Sequence, residues 1–144
     1  STFYTGLAGQ LAVHHLQTSD TSLVSLPAGS VLCANVTFEL LDTRGLPSEG
    51  VKAALGWGSS VDVIVGASRS AVSGPTSLAA QVYDVPVLSY ASTAVSLSDK
   101  DSYPLFHRTV PPDAEAADAM ASLLAFLNFT RIGIMFINDP WGNG

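Results

Sequence analysis

Two short loops in this chain concentrate groups able to hold a small polar molecule by hydrogen bonds. One reads Gly66-Ala67-Ser68-Arg69-Ser70 and the other Ala91-Ser92-Thr93. Serine and threonine hydroxyls both donate and accept, and the guanidinium of Arg69 adds a fixed positive charge. Each loop follows an apolar, β-branched run, Val61–Val65 and Val87–Tyr90. In an open parallel sheet, the loops at the carboxyl ends of strands are where ligands bind. The pattern therefore points to binding, with no evident catalytic group among the hydroxyls.

A hydrolase site fits these residues poorly. Gly66-Ala67-Ser68-Arg69-Ser70 follows a strand, where a nucleophile elbow would sit, but Ser70 occupies the place of the final glycine in G-x-S-x-G. His107 is the only histidine downstream of it, and nothing in its segment brings it toward Ser68. No G-x-G-x-x-G and no P-loop lysine is present, so no cofactor is expected. His14 and His15 are adjacent, so on a helix they diverge by about 100° and make a poor chelating pair.

Composition narrows the class. Of 144 residues, 47% are apolar and 12% charged, which fits one globular domain with a real core rather than a disordered chain. The net charge is -6 and the six basic residues are scattered, so no nucleic-acid partner is expected. The longest apolar runs fall well short of the roughly 20 residues of a membrane helix. No charged start leads into an apolar signal core, so if the parent protein is secreted or membrane-anchored, those parts are expected to lie outside this chain. Cys33 reads either as a buried small hydrophobe or as half of a disulfide. Asn35-Val36-Thr37 and Asn128-Phe129-Thr130 are glycosylation sequons and point outside the cytoplasm.

The elements that must position the loops alternate. Phe3, Leu7 and Leu11 recur at helical spacing and predict a helix from about residue 3 to 16. Val31 to Leu41 alternates apolar and polar residues and predicts an edge strand. Pro47-Ser48-Glu49 opens a helix ending at Gly56 or Gly58. Val61–Val65, apolar apart from Asp62, predicts a strand buried on both faces. A helix over about 75–84, a strand over Pro86–Tyr90, a helix from Pro111-Pro112-Asp113 to about Leu127 and a strand over Arg131–Ile137 follow. This order predicts an α/β fold, an open parallel sheet with helices on both faces.

The run Asp84-Val85-Pro86-Val87-Leu88-Ser89-Tyr90-Ala91-Ser92-Thr93 carries a resemblance. So do Leu97-Ser98-Asp99-Lys100, Tyr103-Pro104, Phe106, Arg108 and Pro111-Pro112-Asp113. Together these residues resemble the receptor-family ligand-binding region, the type I periplasmic-binding-like ectodomain found in class C G-protein-coupled, natriuretic-peptide and glutamate receptors. Leu11-Ala12-Val13-His14-His15-Leu16, Asn128-Phe129-Thr130-Arg131-Ile132 and Trp141-Gly142 extend the resemblance along the chain.

The resemblance implies that residues 1–144 are a fragment of the first lobe of a two-lobed clamshell, lacking the family's first strand and second lobe. With that strand removed, a gap is left between Val31–Leu41 and Val61–Val65, and the fragment alone is expected to be marginal or to pair those strands abnormally. The resemblance also implies a ligand-binding role, with Ser68, Arg69, Ser70, Ser92, Thr93 and Asp113 in the site. Ser70 matches a serine at the ligand's carboxylate, Thr93 a threonine near its amine, and Asp113 an aspartate that pairs with the ammonium. Each has a plainer alternative. Ser70 and Thr93 can satisfy backbone groups in their turns, and Asp113 can cap a helix. Arg69 replaces a small residue, and either faces solvent, crowds the pocket or pairs with an extra acid on a ligand. Tyr103, Pro104, Phe106 and Arg108 read as framework.

The implied function is an extracellular, membrane-anchored receptor module for a small polar ligand such as an amino acid, not an enzyme. A soluble solute-binding protein of a transporter and a ligand-less dimerisation domain are the alternatives. Dimers would form through the helices near 48–56 and 75–84, with Val51, Leu55, Leu78 and Val82 as candidate contacts.

Overall fold

The computed structural model describes residues 2–20, 22 and 36–142. Cys33, Asn35 and the first half of the strand expected from Val31 lie outside the described residues. The chain divides into two compact units, Ser1–Asp42 and Thr43–Gly144.

The first unit holds helix α1, Thr2–Thr18. Its end is closed by a paired turn: Asp20 N–H donates to the His15 carbonyl at 2.9 Å and Ser19 N–H to that of Leu16 at 3.3 Å. Ser19 adopts φ 54°, the left-handed residue such a helix end requires. Residues 36–41 form no strand, contrary to the alternation. They run back along α1 instead. Gln17 Nε2 donates to the Val36 carbonyl at 2.8 Å, Phe38 sits over Gly9 and Leu40 over Gly6. The alternation reports an extended segment with two unlike faces. It does not specify that the neighbour is a strand, and here the neighbour is a helix.

The second unit carries the sheet. Strands β1 (Ile64–Val65), β2 (Val87–Ser89) and β3 (Phe106–Arg108) lie in the order β1-β2-β3, all parallel. The fold is therefore α/β with an open parallel sheet, as expected. The register aligns Ile64, Val87 and Phe106, and this row is buried at 8%, 0% and 1% exposure. Ala54, Ala80, Val85, Ala94 and Leu97 complete the core around it. The next row, Val65, Leu88 and His107, points the other way because side chains alternate along a strand. Val65 is 64% exposed, so β1 is not buried on both faces and is shorter than its apolar run.

Two helices flank this core closely. Helix α2, Pro47–Trp57, opens with proline in its first turn and Glu49 nearby, both favoured at helix starts. Helix α3 spans Ser70–Gln81, starting five residues before Pro75. Proline favours a first-turn position, which is why the sequence pointed to a start there. Pro75 instead sits inside the helix and removes one backbone donor. Small residues make up the buried face of α3, Ser70, Val72, Ser73, Gly74, Thr76, Ser77 and Ala80. Gly50 of α2 is pressed against it: a Cβ there would collide with Thr76 Oγ1 and stand 2.8 Å from Val72 Cγ1.

Helix α4, Asp113–Phe126, has no buried residue. It ends like α1. Phe129 N–H bonds to the Leu124 carbonyl at 3.0 Å and Asn128 N–H to that of Ala125 at 3.1 Å, with Asn128 at φ 55°. Residues 131–137 are extended but pair with no strand among the described residues. An apolar run signals a demand for burial, whereas a ladder forms only beside a partner in register. β3 went unread for the converse reason. Phe106-His107-Arg108 is too short to show periodicity, and its strand character comes from pairing with β2.

Candidate functional site

Parallel strands send their carboxyl ends to one edge of the sheet. Residues 66–69 leave β1, 90–94 leave β2 and 109–112 leave β3, so the three connections meet there. They are interlocked by hydrogen bonds. Ala94 N–H donates to Ser70 Oγ at 3.2 Å. Asp113 N–H donates to the Thr93 carbonyl at 2.9 Å. Arg108 Nη1 donates to the carbonyls of Ser92 at 3.2 Å and Ala94 at 3.0 Å, and its Nη2 bonds Ser98 Oγ. Lys100 Nζ bonds the Phe106 carbonyl. Phe106 in the core and Arg108 under the loops thus act as framework.

A knot of buried serines fixes the first loop. Ser89 Oγ donates to the Ala67 carbonyl at 2.7 Å, and Ser73 Oγ and Ser92 Oγ each lie 3.1 Å from the same oxygen. Ser73 and Ser92 are 2.7 Å apart, and Ala67 N–H donates to Ser73 Oγ at 3.1 Å. One carbonyl has two lone pairs and each hydroxyl one proton. Two hydroxyls therefore serve Ala67, and the third donates to its serine neighbour. Every proton in the knot is used, and all three side chains are fully buried.

Beside this knot lies a cleft of about 350 Å³, lined by Ser68, Arg69, Ser70, Ala71, Ala91, Ile137, Asp139 and Trp141. Of the residues expected in the site, the structure brings Ser68, Arg69 and Ser70 to its wall. Ser70 is the first residue of α3, so the amides of Ser70 and Ala71 have no partner within the helix. Ser70 Oγ accepts from Ala94, and its own proton has no acceptor among the described residues.

Thr93 and Asp113 stand behind Trp141. Thr93 Oγ1 donates to Asp113 Oδ2 at 2.7 Å and accepts from Trp141 Nε1 at 2.9 Å. Asp113 begins α4 without capping it. Its Oδ1 has no protein donor among the described residues. Ser92 lies in the knot, away from the cleft wall.

The sequence assigns neither Asp139 nor Trp141 to the site, although Trp141-Gly142 carries part of the resemblance and Asn138-Asp139-Pro140-Trp141-Gly142 reads as a turn. Asp139 Oδ1 accepts the N–H groups of Trp141 at 3.0 Å and Gly142 at 2.9 Å. Its Oδ2 lies 3.6 Å from Arg69 Nη2. The turn thus delivers one acid and one indole to the cleft. The signal available was an Asx-type turn directly after an apolar run. Elsewhere, His15 Nδ1 lies 3.8 Å from Asp20 Oδ2, and no group of three metal-ligating side chains occurs among the described residues.

The cleft lies at the carboxyl edge of an open parallel sheet and is walled by hydroxyls and one ion pair. Residues 10–144 match the receptor family ligand binding region, and the chain belongs to that family. It is 37% identical over 84 residues to metabotropic glutamate receptor-like protein E of Dictyostelium discoideum, covering 58% of this chain and 10% of that protein. It is 37% identical over 82 residues to metabotropic glutamate receptor 6 of Oryctolagus cuniculus and of Rattus norvegicus, covering 57% of this chain and 9% of each relative. The chain thus aligns with about a tenth of the length of these relatives. No helix among the described residues is long and apolar enough to cross a membrane.

Proposed function

We propose that this chain forms part of the first lobe of an extracellular receptor module that captures a free amino acid or a close analogue. The observation that carries the reading is the convergence of donors and one carboxylate at the carboxyl edge of the sheet. The first-turn amides of α3 and the free Ser70 proton suit a carboxylate. The open Oδ1 of Asp113, with Thr93 beside it, suits an ammonium group through a charge-assisted bond. A volume of about 350 Å³ fits a ligand of that size. Two relatives are named for glutamate, which supports an amino acid as the ligand class. Arg69 and Ser68 line the wall, and Ser92 holds the Ala67 carbonyl of the same loop.

Binding by itself transmits nothing. A second lobe closing over the ligand shifts the open–closed equilibrium only by the ligand's differential affinity for the closed form. The signal then passes to a membrane-anchored output module. Asn35 and Asn128 are the proposed glycan sites. Asn128 is exposed, and its helix-ending role leaves its side chain accessible. Leu55, Leu78 and Val82, exposed at 48%, 48% and 73% on α2 and at α3's end, are the proposed dimer contacts, with Val51 half-buried beside them.

Calorimetric titration of free amino acids tests the reading, using the protein extended through the second lobe. Saturable binding is expected. Asp113→Ala should weaken it about tenfold or more, or about 1.4 kcal/mol, and Asp113→Asn should do nearly the same. Binding indifferent to both variants would remove Asp113 from the site. Absence of heat with every amino acid, in a folded protein, would overturn the ligand class.

A further inference from the structure

We infer that residues 131–137 form a pairing edge for a second copy of this chain, the two segments lying antiparallel about a two-fold axis at Ile134. The inference is independent of any ligand. The segment is extended, yet none of its N–H groups has a partner among the described residues. Only its last carbonyl, that of Ile137, is taken, by Asp139 N–H at 2.9 Å. Such a row of open donors and acceptors is a template for another strand. Ile134 is 78% exposed, Met135 is fully exposed, and Ile132, Phe136 and Ile137 are more than half exposed. Apolar side chains therefore stand open on both faces. Proline and interior charges are what usually block edge pairing. This segment holds no proline, and its one charge, Arg131, stands at its start.

The edge fits its own copy because it is complementary to itself when reversed. About an axis at Ile134, Ile132 lies opposite the partner's Phe136, and Gly133 opposite the partner's Met135. A Cβ at Gly133 would have nothing within 4 Å, so this residue leaves a notch on the face that carries Met135. A flexible, unbranched methionine suits such a gap. Arg131 has no ion pair among the described residues. Antiparallel pairing brings it to the end of the partner strand that leads into Asp139, a diagonal that a long side chain spans. A parallel, in-register pair would set Arg131 on Arg131 and Met135 on Met135, opposing like charges and leaving both notches empty. Moving the axis to Met135 opposes the two methionines as well. The two-fold makes the contact closed, so it stops at a pair. Seven residues a side is short of the roughly 20–30 of a stable interface. The pairing is therefore weaker than the proposed helix contact and forms above micromolar concentration.

Position-specific cross-linking tests this on the full chain, with Cys33→Ser removing the native thiol. Residues paired across antiparallel strands hold their Cα atoms about 4.5–5.5 Å apart, within the span of a disulfide. With copper–phenanthroline as oxidant, Ile134→Cys is expected to link two copies at least about tenfold faster than exposed Ser96→Cys. Ile132→Cys alone and Phe136→Cys alone should link at the control rate. Mixed together they should link fast, because each faces the other across the axis. Arg131→Glu should slow linking at position 134 about threefold or more, and added salt should slow it in the unaltered charge background. Matched thermal melts separate these effects from misfolding, and the mixed pair reads the same seam with Ile134 in place. Linking at position 134 at the control rate, with no gain on mixing, would overturn the inference and leave this edge to a different partner or to none. Equal linking at 132, 134 and 136 alone would overturn it too, since that is the signature of parallel or unordered association.

Discussion

At the scale of single residues, hydroxyls divide into those that build and those that are free. Ser73, Ser89 and Ser92 are spent on Ala67 and on one another, whereas Ser70 keeps a proton for a partner. The sequence points to Ser70 and Ser92 as site residues and gives no sign that Ser92 belongs with Ser73 and Ser89 in a buried knot. Burial and proton bookkeeping supply that, and neither is written in a one-dimensional string of small polar residues. Ser89 also accepts the N–H groups of Ala91 at 3.3 Å and Ser92 at 3.0 Å. Ser89→Ala should therefore cost about 1–3 kcal/mol in urea unfolding, the range for stranding buried polar groups. Exposed Ser96→Ala serves as the control and should stay within about 0.5 kcal/mol. A Ser89 variant as stable as the control would show that the knot relaxes without loss.

At the scale of elements, close approach and chain reversal dominate. Gly50 lets α2 lie against Val72 and Thr76 of α3. Gly50→Ala forces a methyl into that contact and should destabilise the fold by about 1–3 kcal/mol, as overpacked cores do. A melting temperature equal to the parent's would mean that the two helices can separate freely. Three helix ends use the same paired turn, with Ser19, Asp84 and Asn128 in the left-handed region. At the end of α3, Val85 N–H reaches the Ala80 carbonyl at 3.2 Å and Asp84 N–H that of Gln81 at 3.1 Å. That reversal feeds Val85, 5% exposed, into the core. Polar residues hold these positions where glycine is common, which is why composition marked turns without showing their geometry.

At the scale of the molecule, helix positions were the most legible part. The starts at Pro47 and Asp113 agree with their proline and acidic signals, because the preference of proline and acids for a helix's first turn is local chemistry. Strands were less legible, since β3 is defined by its neighbour and residues 36–41 and 131–137 are extended without one. The loops of the site were readable because hydroxyls follow β-branched runs, whereas Asp139 and Trp141 reach the cleft only through the path of the chain. Association belongs to this scale as well. Leu78→Glu places a charge on the proposed α2–α3 contact and should shift sedimentation from dimer to monomer at micromolar concentration. An unchanged sedimentation coefficient in a folded variant would remove that face from the interface.

The hydrogen bond from Trp141 to Thr93 has an optical corollary. The sequence contains two tryptophans, and Trp57 packs against the core on α2. Trp141, 48% exposed, hangs its indole N–H on the hydroxyl that serves the proposed ammonium seat. An occupant of that seat changes the polarity around one chromophore and leaves the other in its apolar surroundings. With Trp57 replaced by phenylalanine, the protein becomes its own gauge of occupancy: the emission maximum of a single indole, read without any label, traces the same saturation curve as the heat of titration.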